Sequence, residues 1–75
     1  MPTFKQLQYF REIAVSQNMS QVAERNYVSQ TALSNSISRL EDEIGVKLFD
    51  RVGKKLVINT YGKAFLQYVE SSMDI

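Results

Sequence analysis

The sequence predicts a mainly α-helical domain that carries one short β-hairpin before its last helix. Two observations support this prediction. Apolar residues recur at helical spacing in four segments of the 75-residue chain. A fifth segment, KLFDRVGKKLVI, places two β-prone apolar runs around a Gly-Lys-Lys centre. A chain of this length buries only about 60% of its unfolded surface, so it can build one small core.

Capping residues mark where the first two helices begin. Thr3 followed by Gln6 is a capping-box pattern and predicts a helix over residues 4–16. Asn18 opens a second, short helix over 19–25 by the same logic. The positions expected to face the core are Phe4, Leu7, Phe10 and Ile13 or Ala14 in the first helix, and Met19, Val22 and Ala23 in the second.

The third helix has the clearest apolar stripe in the chain. Ser29 is a favourable N-cap and Gly45 a favourable C-terminal stop, which bounds the helix to residues 30–44. Its apolar positions follow the spacing i, i+4, i+7, i+11: Leu33, Ile37, Leu40 and Ile44.

The remaining elements are the hairpin and a last helix. The hairpin is predicted at about 47–58, and Asn59 or Thr60 caps the helix after it. Residues 26–28 break the helical period and indicate a tight turn. The apolar stripe of the last helix consists of Phe65, Leu66, Val69 and Met73.

This order of elements is typical of a winged helix-turn-helix: a three-helix core, a two-stranded β wing and a long C-terminal linker helix. The sequence therefore predicts one such domain over residues 1–58, with the helix-turn-helix at about 18–37 and the wing at about 47–58. Residues 59–75 are interpreted as the start of the linker helix.

The outward face of the third helix is unusual because it carries short uncharged polar groups. When the apolar stripe faces the core, Gln30, Thr31, Ser34, Asn35 and Ser38 share the outer side. These compact donors and acceptors suit the base edges of the DNA major groove. An ordinary solvated face is the alternative, but such faces are usually built from Glu, Lys, Gln and Arg, which favour the helix. The pattern therefore favours base reading by Gln30, Thr31, Ser34 and Asn35.

Composition excludes several function classes. The chain has no cysteine and no histidine, which excludes disulfides, a structural zinc of the Cys/His type and a Ser-His triad. An 8.6 kDa chain also has little room for a substrate cleft, so we expect no enzymatic activity. No apolar run approaches the roughly 18 residues of a membrane span, and the N-terminus lacks a signal-peptide layout. We expect a cytoplasmic protein.

Charge is distributed unevenly although the formal net charge is only +1. Five basic residues and a single acid, Asp50, lie between positions 47 and 63. The acidic run Glu41-Asp42-Glu43 is expected to be a solvated face, and Arg39 either pairs with Glu43 or contacts a phosphate. The four tyrosines are expected to be packing residues rather than stacking platforms for bases: Tyr9, Tyr27, Tyr61 and Tyr68.

The pattern AER..VSQ.ALS..I..LE...G..LF.R, followed by a short wing and Gly62, resembles the DNA-binding domain of the LysR-type transcriptional regulators. The resemblance covers roughly residues 4–66. It implies sequence-specific binding of duplex DNA for regulation of transcription, with the recognition helix 30–44 in the major groove and the wing at the minor groove.

The resemblance also assigns roles to single residues. Base reading is again implied for Gln30, Thr31, Ser34 and Asn35. Contacts to the DNA backbone are implied for Ser20, Gln21, Ser29 and Ser38. For Arg39, contact with a phosphate and pairing with Glu43 remain the two alternatives. Arg51 matches a wing arginine, and Lys54 lies at the wing tip beside Lys55. The sequence departs from the family at Asn26, where leucine is usual and would anchor the turn.

The last helix has two possible partners. Its stripe can pack onto the first helix or pair with its copy in a second chain, and family members dimerise through this helix. We therefore expect both, with a homodimer formed through Phe65, Leu66, Val69 and Met73. The alternative function is a protein-interaction module that uses Phe65, Val69 and Met73 as its partner surface.

The family also sets expectations for the rest of such a regulator. Members carry an effector-binding domain after this helix, so the chain is expected to be a piece of a longer regulator. No cofactor is expected in the present domain, and a small-molecule effector only in the following one. Contact with RNA polymerase is possible in this family but cannot be read from the sequence.

Overall fold

The computed structural model describes residues 2–53 and 55–73, and confirms the winged helix-turn-helix fold. The described part contains four helices and one two-stranded antiparallel sheet. The elements are α1 Phe4–Ser16, α2 Met19–Arg25, α3 Gln30–Ile44, β1 Phe49–Val52, β2 Lys55–Ile58 and α4 Thr60–Met73. Lys54 and the side chain of Met73 lie outside the described residues. No helix in this part of the chain is long and apolar enough to cross a membrane.

Each predicted helix start is formed by the predicted capping residue. The Thr3 hydroxyl accepts from the Gln6 backbone N–H at 3.1 Å, and the Gln6 side chain accepts from the Thr3 N–H at 2.8 Å. Asn18 and Ser29 each accept from the backbone N–H three residues ahead, both at 3.0 Å. The third helix ends at Gly45, whose φ of +91° is unfavourable for residues with a Cβ. Local side-chain chemistry therefore sets these boundaries.

Aromatic contacts join α1 to the wing and to α4. Phe10 is fully buried, and its ring centroid lies 5.5 Å from that of Phe49 and 5.2 Å from that of Phe65. Leu33 and Leu40 of α3 are also fully buried. Val22 of α2 and Leu56 of β2 are buried in the same cluster, so the core sits between all four helices and the wing.

The prediction that Phe4 faces the core is wrong. Its side chain is 67% exposed, whereas Tyr9, Ile13 and Ala14 are buried. At 100° per residue, Phe4 lies about 120° around the helix from Phe10, at the margin of the buried face. The apolar face of α1 is therefore displaced from the predicted stripe.

Glu41 is buried, which corrects its assignment to a solvated face. Its side-chain oxygen Oε2 accepts from the backbone N–H groups of Leu48 at 2.8 Å and Phe49 at 3.3 Å. Its other oxygen lies 3.9 Å from Nζ of Lys47. The residue is only 7% exposed. Glu41 thus ties the C-terminal half of α3 to the start of the wing.

Asn59 closes the root of the wing and caps α4. Its side-chain amide donates to the carbonyl oxygen of Lys47 at 2.9 Å, and its side-chain oxygen accepts from the N–H of Gly62 at 2.8 Å. Its backbone N–H donates to the carbonyl oxygen of Leu48 at 3.0 Å. The strands between these points pair in register, with Phe49 opposite Ile58.

Gly62 allows α4 to approach the chain segment before β1. A Cβ at this position would collide with the carbonyl oxygen of Leu48 and with the side chain of Ile58. Glycine is therefore required here because there is no space for a Cβ atom, and not because of its backbone dihedral angles.

Candidate nucleic-acid interface

The four predicted base-reading residues lie together on the outer side of α3. Gln30, Thr31 and Asn35 are exposed, and Ser34 is half-buried. Together with Met19, Arg51 and Leu56 they line one groove of about 270 Å³ between α3 and the wing. We call this surface the α3–wing groove. Its rim consists of amide, hydroxyl and guanidinium groups, which can donate and accept hydrogen bonds with base edges.

Arg51 connects the wing to the recognition helix. Its guanidinium, extending from β1, donates to the Ser34 hydroxyl oxygen at 3.2 Å. The Ser34 hydroxyl retains its own proton for donation. Arg51 is exposed and lines two grooves, on either side of this hydrogen bond. A positive charge therefore lies within the candidate interface.

A second groove continues from the first toward the start of α2. It has a volume of about 330 Å³ and is shared by Gln17, Asn18, Met19, Ser20, Gln30, Lys55 and Leu56. We call it the α2–wing groove. Ser20 and Lys55 are both exposed, so a hydroxyl and an ammonium flank the base-reading residues on this side. Hydroxyl and ammonium groups are common partners of DNA phosphates.

The remaining residues assigned to the DNA backbone surround these grooves. Gln21 and Ser29 are exposed, and Ser29 uses its side-chain oxygen to cap α3. Ser38 is half-buried in a third groove of about 380 Å³ between α3 and β1, which Lys47 and Asp50 also line. Arg39 is exposed and forms no ion pair with the described residues. The placement of all four is compatible with their predicted roles.

The wing brings its described cations to the same side as α3, whereas the tip residue Lys54 lies outside the described residues. Lys55 is placed directly after it, at the start of β2. The predicted minor-groove contact of Lys54 therefore stays a prediction.

Polar contacts hold the turn between α2 and α3 at Asn26, the position where leucine is usual in the family that the sequence resembles. The Asn26 side-chain amide donates to a Glu12 carboxylate oxygen at 3.2 Å and to the carbonyl oxygen of Val22 at 2.8 Å. Arg25 donates to the same Glu12 oxygen at 3.3 Å. The next residue, Tyr27, has a φ of +57° and is 95% exposed, so its assignment to packing is wrong. Polar contacts to α1 therefore hold the turn.

Three residues of the interface or its support were missed or misplaced by sequence reasoning. Met19 and Leu56 line both grooves, and Met19 also packs against the core as the apolar pattern predicts. Glu41 orients the wing from inside the fold. The sequence holds no local signal for the burial of Glu41, because Asp42 and Glu43 are acids of the same helical turn and both are exposed.

The apolar stripe of α4 faces mainly into its own chain. Val69 is fully buried within its own chain and has no surface to offer a second chain. Its predicted place in the dimer contact is therefore corrected. Phe65 and Leu66 are half-buried, and Tyr68 is 64% exposed with its ring stacked on Phe65 at 5.9 Å. The large apolar side chains that α4 leaves fully or partly exposed are therefore Tyr61, Phe65, Leu66 and Tyr68. The predicted contact of Met73 cannot be placed, because its side chain lies outside the described residues.

Comparison with known proteins gives the family of this architecture. Residues 4–63 match the family model described as "Bacterial regulatory helix-turn-helix protein, lysR family". The chain is 43% identical over 70 residues to the uncharacterized HTH-type transcriptional regulator YybE of Bacillus subtilis, covering 93% of this chain and 24% of YybE. It is 37% identical over 68 residues to the HTH-type transcriptional activator IlvY of Haemophilus influenzae, covering 91% of this chain and 23% of IlvY. The chain thus spans about a quarter of the length of these relatives.

Solved structures agree with the sequence matches. The structure of the CbnR DNA-binding domain in complex with DNA superposes with a TM-score of 0.88 at 32% identity, over 96% of this chain and 83% of that one. Oxidized OxyR of Corynebacterium glutamicum gives a TM-score of 0.89 at 31% identity, over 99% of this chain and 24% of that one. By sequence and by fold, the chain belongs to the LysR family of bacterial regulatory helix-turn-helix proteins.

Proposed function

We propose that this chain binds duplex DNA in a sequence-specific manner and thereby regulates transcription. Its recognition helix α3 enters the major groove, and the wing contacts the adjacent minor groove. The observation that carries the proposal is the α3–wing groove, where four short polar side chains lie beside the Arg51 guanidinium on one open surface. The likeness to a CbnR DNA-binding domain solved in complex with DNA supports the binding of DNA.

The chemistry of α3 supports reading of base edges. Gln30 and Asn35 carry amides that can form paired hydrogen bonds with adenine, and each good pair contributes about 1–3 kcal/mol of discrimination. Thr31 can place its methyl group against the methyl group of thymine. Its hydroxyl can donate to an acceptor or accept from a donor on a base edge. The N-terminal turns of a recognition helix contain most of its base contacts.

The charges around the groove support contacts to phosphates. Arg51 lines the α3–wing groove and Lys55 lines the adjoining α2–wing groove, and both are exposed. The nearest acid of the recognition helix, Glu41, is turned inward and hydrogen bonded. Phosphates of both strands can therefore approach without facing that carboxylate.

We further propose that the chain acts as a homodimer through α4. Phe65, Leu66 and Tyr68 leave apolar surface on this helix after the intramolecular core is complete. A two-fold pair would present two recognition helices to successive major-groove faces of an imperfect palindrome. The spacing of the half-sites would then be about one helical turn, or 10 base pairs, or a multiple of it.

Selection of bound sequences from a random duplex pool tests the proposal. We expect enrichment of related half-sites in inverted orientation, because two identical chains related by a two-fold axis read the same bases on opposite strands. Enrichment of single half-sites would contradict the dimer but not the base reading. Recovery of an unenriched pool would refute sequence-specific binding.

Salt dependence separates DNA binding from the protein-interaction alternative. Affinity for duplex DNA should fall steeply with added salt, because each neutralised phosphate releases counterions. Binding of a protein through the α4 surface should respond weakly. Burial of Val69 already removes the central residue of the surface that this alternative requires. Since YybE and IlvY are transcriptional regulators, we propose no catalytic role.

A further inference from the structure

Tyr27 is an exposed aromatic residue in a backbone conformation that does not favour it. Its φ is +57°, in the left-handed region, and its side chain is 95% exposed. Glycine and asparagine adopt this region at lower cost than tyrosine. The phenol hydroxyl forms no hydrogen bond with residues 2–53 and 55–73. The fold therefore gains no packing contact or polar bond from this ring.

The turn itself is held by other groups. The Tyr27 backbone N–H donates to the carbonyl oxygen of Glu24 at 3.2 Å, and the Val28 N–H donates to that of Ala23 at 3.0 Å. These bonds use backbone atoms and need no side chain at position 27, although proline would lack the donating N–H. The side chain is thus free of a structural task, and its role has to be sought at the surface.

Tyr27 borders a groove that continues the candidate interface. This surface, the α2–turn groove, has a volume of about 650 Å³ and is lined by Asn18, Ser20, Gln21, Glu24, Arg25 and Tyr27. It shares Asn18 and Ser20 with the α2–wing groove, which in turn shares Gln30 with the α3–wing groove. A continuous polar surface therefore runs from the base-reading residues to Tyr27.

We propose that Tyr27 donates a hydrogen bond from its hydroxyl to a phosphate of the DNA strand that flanks the major groove. The proposal rests on the proposed function and extends the interface beyond α3 and the wing. Tyrosine hydroxyls are common donors to phosphate oxygens, and such contacts position a protein without reading sequence. The neutral donors Ser20 and Gln21 line the same groove and can contact the same strand.

The charges of this groove make its contribution independent of salt. Arg25 is already engaged by Glu12 at 3.3 Å, and Glu24 adds a carboxylate to the groove wall. Among the described residues that line the α2–turn groove, the one cation is already paired with Glu12, and the contact proposed for the Tyr27 hydroxyl itself neutralises no charge. Since no charge is neutralised, few counterions are released at this contact.

Binding of the 75-residue chain to two probes tests the proposal: a duplex enriched from the random pool and an unrelated duplex of equal length. Tyr27→Phe removes only the hydroxyl and should weaken binding to both duplexes by about tenfold per bound chain, because each chain loses one hydrogen bond to a charged group. The slope of log affinity against log salt should stay that of the unaltered chain. Tyr61→Phe, at another exposed tyrosine, is the matched control and should leave both affinities unchanged.

A second variant separates binding from folding. Tyr27→Asn suits the left-handed backbone, so its melting temperature should equal or exceed that of the unaltered chain while its affinity falls as in Tyr27→Phe. Unchanged affinity of Tyr27→Phe, a flattened salt slope, or a loss seen only with a lower melting temperature would overturn the proposal. Failure of the unaltered chain to bind either duplex would instead refute the proposed function.

Discussion

Replacing Glu41 should unfold the domain at a markedly lower temperature, because its carboxylate is the buried link between α3 and the wing. In Glu41→Ala the backbone N–H groups of Leu48 and Phe49 lose the acceptor that lies at 2.8 and 3.3 Å. Leaving a buried donor unsatisfied costs about 1–3 kcal/mol. Two such donors, both shielded from water, give a loss of about 2–6 kcal/mol.

The size of this loss is large relative to the stability of so small a domain. At about 0.05–0.15 kcal/mol per residue, 75 residues have a free energy of unfolding of about 4–11 kcal/mol. Each kilocalorie lowers the melting temperature by about 4–8 °C in domains of this size. Glu41→Ala should therefore melt at least about 8 °C below the unaltered chain.

Thermal and urea unfolding followed by circular dichroism at the helix band measure this difference. The matched control is Asp42→Ala, which removes an exposed acid from the neighbouring position of the same helix end. Both variants remove a negative charge near the C-terminus of α3. This removal stabilises the folded state of each variant by about 0.3–1 kcal/mol, so it does not distinguish them. Equal melting temperatures for the two variants would refute the assigned role of Glu41.

Three further variants test the interface and the wing root. Asn35→Ala should alter the sequence preference in duplex selection, and an equal loss on all sequences would contradict base reading by Asn35. Lys55→Ala should weaken binding generally and reduce the salt slope by about 0.9 per chain, whereas Lys5→Ala, the same change on α1, should leave the slope unaltered. Gly62→Ala should lower the unfolding free energy by about 1–3 kcal/mol, because the added methyl group collides with the carbonyl of Leu48; an unchanged urea midpoint would disprove that contact.

The helices were predictable because their signals are local. Thr3, Asn18 and Ser29 each cap a helix through an amide three residues away, so a short window of sequence contains both partners. The stripe from Leu33 to Ile44 likewise needs only the helical period. These cues also placed the polar face of α3 on the surface.

The missed features depend on partners distant in the chain or on backbone angles. Glu41 is buried because two amides of the wing segment reach it, and nothing within its own helix reveals them. Phe4 has the right residue type but lies at the margin of the face that packing selects. Tyr27 is exposed because the turn adopts a positive φ at this position. A tyrosine in the sequence does not predict that backbone angle.

Asn59 has a mechanical consequence for the domain. Through its amide nitrogen this side chain donates to the segment entering the wing, and through the oxygen on the same carbon atom it accepts from the first turn of α4. Because Asn59 moves with that first turn, a rotation of α4 would strain the bond to Lys47, so the helix and the base of the hairpin must turn together. The orientation of the hairpin is thus coupled to the direction in which α4 leaves the domain.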